Sequence, residues 1–173
     1  IMNNKKNLVF IIPDLEIGGT QRVLIFLINF LVKKNFKIKI IVFKKPKERI
    51  FNLSNKVEIK NLNLYKKTTN IFQKIFYNIY RIKKIRNEII KSNSFKLISF
   101  LTTTNVLTLI SSFGLNQKII INERNDPEKK DISFFWRILR VLLYRKANKV
   151  FVNQPNIKKK VIYKNLFFIP NPI

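Results

Sequence analysis

A chain of 173 residues, 46% hydrophobic and 25% charged, has the size and balance of one folded domain and not of a disordered tail. Lys and Arg number 35 against 9 acidic residues, a formal +26, which favours anionic partners such as phosphates, lipid head groups or nucleic acid. The lack of any Cys or His excludes disulfides, Cys/His zinc sites and mechanisms built on a His base or a Cys nucleophile. An AT-rich coding bias toward Ile, Lys, Asn and Phe is the competing explanation for much of the positive charge.

In chain order, NLVFIIP (residues 7–13) is a short continuous apolar run, the pattern of a strand buried on both faces. Residues 20–34 then predict a helix, with Thr20 as N-cap and Asn35 as stop. KIKIIVF (37–43) repeats the buried-strand pattern, and after a polar connection VEIKNLNL (57–64) alternates as a strand nearer an edge does. A long basic helix follows over 70–91, a strand at KLISFL (96–101) and a short helix over 105–113. QKIIIN (117–122) is a further strand, 133–146 a helix and KVFVN (149–153) a last strand. The order βαββαβαβαβ implies right-handed crossovers and an open, doubly wound, largely parallel α/β sheet covered on both faces.

Two of the three glycines, Gly18 and Gly19, stand side by side between the first strand and the first helix. An open parallel sheet binds ligands there, and backbone N–H groups at a helix start suit an anion or a polar sugar. A glycine pair that merely makes the turn is the plainer alternative. Neither a GxGxxG fingerprint nor a P-loop is present, which disfavours an NAD or ATP enzyme.

The segment IIPDLEIGGTQRVLIFLINFLVKKNFKIKIIVF resembles the first βαβ unit of the N-terminal domain of family 4 glycosyltransferases, retaining enzymes of the GT-B fold. The usual form there is Gly-Gly-x-Glu-Arg-Val. LISFLTTTNVL, KIIINERNDP, RVLLYRKANKVFVNQPNIKK and FFIPNPI match further stretches in the same order. The resemblance is greatest to bacterial transferases that build lipid-linked oligosaccharides or surface polysaccharides. It implies the Rossmann-like N-terminal, acceptor-binding half of a nucleotide-sugar-dependent enzyme over residues 1–169, with 170–173 opening the interdomain linker and the donor-binding domain absent. Alone, such a half is expected to transfer no sugar.

Carried over residue by residue, the resemblance implies substrate contact for Gly18, Gly19, Thr20 and Arg22, with Gln21 where Glu is usual. It extends to Thr103, Thr104 and Asn105 beyond the fourth strand, beside Thr102, and to Glu123, Arg124 and Asn125, beside Asp126, beyond the fifth. A surface ion pair is the alternative for Arg22, and a helix cap with a local ion pair for the last group. It assigns no catalytic base, no metal and no cofactor, the nucleotide sugar being a co-substrate. A polyprenyl-diphosphate-linked or saccharide acceptor is the expected partner.

No apolar run approaches the ~18–20 residues that span a bilayer, and IMNNKKN lacks the pattern of a signal peptide. The expectation is a cytoplasmic protein, peripheral on the inner face of the plasma membrane. Lys83, Lys84 and Arg86 on the long helix, and Trp136, Arg137 and Arg140 on the helix FFWRILRVLLYRK, are the candidates for contact with anionic lipid. Core packing is the stronger alternative for the first of these helices. Two other readings stay open: a nucleic-acid-binding module, disfavoured by scattered basic residues and the lack of a motif, and a non-catalytic α/β domain serving as a binding partner.

Overall fold

The computed structural model describes residues 6–16, 18–46, 52–66, 68–124, 132–153 and 165–170. Seven parallel strands form one sheet: β1 (Asn7–Ile12), β2 (Lys37–Val42), β3 (Glu58–Asn61), β4 (Lys96–Phe100), β5 (Lys118–Glu123), β6 (Lys149–Val152) and β7 (Leu166–Phe168). Their order is β3-β2-β1-β4-β5-β6-β7, so the chain winds outward from β1 in one direction and returns to wind outward from β4 in the other. That reversal between β1 and β4 is the topological switch point of a Rossmann-like sheet.

Helix α1 (Gly19–Lys33) covers one face; α2 (Ile71–Ser92), α3 (Thr102–Ser111) and α4 (Phe134–Leu143) lie on the other. Strand pleating divides the apolar run of β1 between them. Leu8, Phe10 and Ile12 pack with Leu24 and Ile28 of α1, while Val9 and Ile11 pack with Ile85, Ile89, Val106 and Leu107 from the opposite helices.

The expected elements are present, the third strand only over Glu58–Asn61 instead of 57–64, and four other differences stand out. Gly18, extended at φ −169°, and not Thr20, is the N-cap of α1, and Arg22 N–H donates to its carbonyl at 3.0 Å. The third helix starts at Thr102 instead of residue 105, because burial of Thr102 and Thr104 outweighs the low helix propensity of three successive threonines. The fourth ends at Leu143 and tightens into a 3₁₀ turn, Tyr144–Lys146. β7 is an addition: three residues beside β6, too short to show a period.

Helix α2 is where length matters. Its 22 residues rise about 33 Å, whereas a six-residue strand spans about 20 Å, so one helix end must overhang the sheet. Running from the end of β3 to the start of β4, α2 packs Ile82, Ile85 and Ile89 into the core through its second half. Its first half exposes Ile71, Phe72, Ile75, Phe76, Ile79 and Tyr80 at the strands' C-terminal edge. Asn70 caps it, Oδ1 accepting from Gln73 N–H at 2.8 Å.

Candidate functional site

The carboxyl ends of β1, β4 and β5 meet at the switch point, and most of the glycine, threonine and Glu-Arg positions singled out above are carried there. At the exit of β1, Asp14 Oδ1 accepts from Glu16 N–H and from Gln21 Nε2, each at 3.1 Å. Gln21 thereby ties the loop to α1; a glutamate in its place would set two carboxylates against each other. Neither glycine is imposed by the backbone of this loop. A Cβ at Gly18 would meet only the end of the flexible Gln21 side chain at 2.7 Å, and one at Gly19 would meet nothing within 4 Å. The space above Gly19 is open, Arg22 is exposed and Thr20 is half-buried.

Behind this loop the ends of β4 and β5 are locked by a buried polar network. Thr102 Oγ1 donates to Glu123 Oε2 at 2.9 Å, and Tyr144 OH donates to the same oxygen at 2.6 Å. Asn105 Nδ2 donates to Tyr144 OH at 3.0 Å and to the Asn122 carbonyl at 3.2 Å, while its Oδ1 accepts from Ser99 Oγ at 2.7 Å. Burial above all, and then the adjacent Glu123 carboxylate, pushes the Tyr144 phenol well above the ordinary 10.0. Leu101, the residue before Thr102, has a φ of 73° and a ψ of 141°, unusual for a residue with a side chain, and of order 1–3 kcal/mol of strain is held there.

This arrangement separates the candidate residues. Asn105 is wholly buried, Glu123 is 1% exposed and Thr104 is 2% exposed, so these three side chains serve the interior and do not face a ligand. The reason is the early start of α3, which turns the polar residues after β4 inward over the end of β5. Thr103 is half-exposed on the first turn of α3. Arg124 is half-buried, its guanidinium pKa lowered by desolvation, and with Asn122 it provides a polar rim to a cavity of about 310 Å³ between α1 and β4–β6, floored by Leu27, Ile98 and Ile120. Asn125 and Asp126 lie outside the described residues. Tyr144 and Ser99 were missed by sequence reading: their partners are 39 and 6 residues away, and nothing in their neighbours marks them as polar.

The lipid-contact candidates also divide. Arg86 turns inward, Nη1 donating to the carbonyls of Ser111 at 3.0 Å and Phe113 at 2.7 Å, where it closes the end of α3. Trp136, partly buried, packs against the core, and Arg140 is half-buried. Lys83, Lys84 and Arg137 are exposed. The surface apolar residues of α4 are instead Phe134, Phe135, Ile138, Val141 and Leu142. Among the described residues no helix is long and apolar enough to cross a membrane.

A strand order reversing at β1/β4, with a glycine loop at its open edge, defines a Rossmann-like domain whose switch point is the edge at which such sheets take ligands. Sequence and fold together place the chain among glycosyltransferases of the GT-B type, which it matches through one Rossmann-like sheet. Over 135 residues it is 33% identical to the GalNAc-alpha-(1->4)-GalNAc-alpha-(1->3)-diNAcBac-PP-undecaprenol alpha-1,4-N-acetyl-D-galactosaminyltransferase of Campylobacter jejuni. That match covers 78% of this chain and 36% of the relative. A glycosyltransferase from Rickettsia africae superposes with a TM-score of 0.70 at 16% identity, covering 96% of this chain and 43% of that one. The Anabaena protein Alr3699/HepE, in complex with UDP and glucose, gives 0.62 at 13% identity, covering 96% and 44%. The chain therefore spans from about a third to under half the length of these three proteins. No family model matches it.

Proposed function

We propose that this chain is the acceptor-binding half of a retaining, nucleotide-sugar-dependent glycosyltransferase of family 4, adding a hexose or N-acetylhexosamine to a lipid-linked or polysaccharide acceptor. The observation that carries the reading is the open space over Gly19 at the switch point, in a chain whose similarity to a lipid-linked-oligosaccharide transferase runs over most of its length. The domain positions the acceptor hydroxyl beside the donor sugar. Thr20 and Thr103 at the open edge can donate to sugar hydroxyls, and Arg22 and Arg124 can support the charge that develops on the leaving diphosphate. The donor configuration is retained through a short-lived sugar cation, with the leaving diphosphate oxygen taking the acceptor proton. No protein base and no resident cofactor are called for.

Peripheral attachment to an anionic membrane surface belongs to the same reading. The overhanging half of α2 and the outer side of α4 both begin at the carboxyl edge of the sheet, and both expose large apolar side chains near Lys74, Lys83, Lys84 and Arg137. Insertion there would bring the sheet's open edge to the head-group level, where a lipid-linked acceptor presents its saccharide.

The test is a screen of UDP-sugars against undecaprenyl-diphosphate-linked saccharides, run with the native-length protein and with the 173-residue chain. Transfer by the former and none by the latter is expected. Transfer by neither, across all donors and acceptors, would refute the reading.

A further inference from the structure

Beside the exit of β3, away from the switch point, lies an open cup of about 480 Å³ that the preceding mechanism does not use. Asn63, Tyr65 and Lys66 line it from the segment leaving β3, and Tyr77 and Tyr80 from α2, at the level where that helix leaves the core. Tyrosine combines a flat apolar face with a hydroxyl, the pairing that suits a sugar ring.

The cup is also cationic. Lys44 Nζ lies 5.4 Å from the Tyr65 ring centroid, Arg81 Cζ 6.0 Å from that of Tyr77 and Lys84 Nζ 5.5 Å from that of Tyr80. Lys44 is paired with Glu16, but no ion pair among the described residues involves Lys66, Arg81 or Lys84. Arg81 carries the strongest signal. Its guanidinium is pressed between Phe43, at 5.2 Å, and Tyr77, with its pKa lowered by desolvation. Among the described residues its Nε is buried without a hydrogen-bond acceptor, and Nη1 reaches Asn78 Oδ1 at 3.4 Å. A desolvated guanidinium with spare donors and no carboxylate beside it is short of an anion.

We propose that the cup lined by Tyr65, Lys66, Tyr77 and Tyr80, with Arg81 and Lys84 set against the Tyr77 and Tyr80 rings, is a subsite for a phosphate-bearing saccharide, the sugar lying on the tyrosines and the phosphate meeting Lys66, Lys84 and Arg81. The inference rests on the acceptor reading and names where the sugar-phosphate portion of a glycolipid acceptor is held. The exposed Ile71, Phe72, Ile75 and Phe76 continue along α2 from the cup, so an attached lipid would run along an apolar stripe.

The experiment is an NMR titration of the 173-residue chain carrying ¹³C-labelled tyrosine, with N-acetylglucosamine 1-phosphate as probe and N-acetylglucosamine and inorganic phosphate as comparisons. The ring signals of Tyr65, Tyr77 and Tyr80 are expected to shift, while Tyr144, buried elsewhere, stays still. Affinity should fall by about fivefold in Tyr80→Ala and in Lys84→Ala, both at exposed positions, and should be unchanged in Lys118→Ala at the opposite edge of the sheet. No shift of the three rings up to about 10 mM probe, or an equal loss in Lys118→Ala, overturns the proposal. Equal affinity for inorganic phosphate overturns its saccharide half. The UDP-sugar screen separates the two ideas: transfer with silent tyrosines removes the cup alone, and binding without transfer removes the transferase reading while leaving the cup.

Discussion

Replacing Tyr144 by Phe removes one oxygen from the buried network and leaves the ring packing in place. Two hydrogen bonds disappear, the 2.6 Å bond to the Glu123 carboxylate and the 3.0 Å bond from Asn105. Glu123 Oε2 loses one of its two described donors, and Asn105 Nδ2 keeps the Asn122 carbonyl while its Oδ1 keeps the Ser99 hydroxyl. A hydrogen bond to a charged group contributes about 1.5–3 kcal/mol, and stranding part of a buried amide adds about 1 kcal/mol, so a loss of about 3 kcal/mol is expected. For a domain of this size that corresponds to a Tm lower by about 6–12 °C. Urea unfolding followed by fluorescence of Trp136, the single tryptophan, measures it directly because that indole packs against the core. The pH dependence gives a second readout. The raised phenol pKa means that the stabilisation is fully present below the unfolded value of about 10 and is lost as pH rises toward the folded value. The gap between wild type and variant should therefore narrow above pH ~10. A gap below about 0.5 kcal/mol at neutral pH would refute the network's role, and a gap constant into strong alkali would refute its coupling to the Tyr144 proton.

Asn70→Ala removes the cap of α2, worth about 1 kcal/mol, but the first half of that helix is unpacked. The expected effect is faster amide exchange over residues 71–80 with little change in Tm; a large fall in Tm would show that this half packs after all. Gly19→Ala should leave stability unchanged within about 0.5 kcal/mol, since its Cβ meets no protein atom, yet should weaken sugar transfer by the native-length protein. Unaltered transfer would place the reaction elsewhere. The double substitution Phe72→Ser, Phe76→Ser should reduce flotation with anionic liposomes, each ring contributing about 1.5–3 kcal/mol if buried in lipid, and equal flotation with neutral vesicles would argue against charge-assisted attachment.

The layered fold was legible in the sequence because the strands of a parallel sheet are apolar on both faces, as the unbroken runs of β1 and β2 show. Asn93, at φ 45°, ends α2 in the left-handed conformation that asparagine tolerates, and Asn35, at φ 62°, does the same after α1. Failures came where distance in the sequence hides contact. Glu123 reads as a ligand because it follows a strand end, but its carboxylate is claimed by Thr102 and Tyr144, each 21 residues away. The apolar period of α2 is uniform along its length, so the pattern could not say which half is buried. That is decided by a sheet too short to cover the helix. For α4, aromatic residues on nearly every side announce surplus apolar surface, yet only packing reveals that Trp136 leans on the core and Phe134 and Phe135 are the surplus.

The most direct measurement of the central claim is a proton NMR time course of the native-length protein with a UDP-sugar and an undecaprenyl-diphosphate-linked saccharide. The expected product carries one added sugar whose anomeric configuration matches that of the donor. A product of inverted configuration would contradict the retaining assignment, and release of UDP without any lengthened acceptor would contradict the role given to this domain.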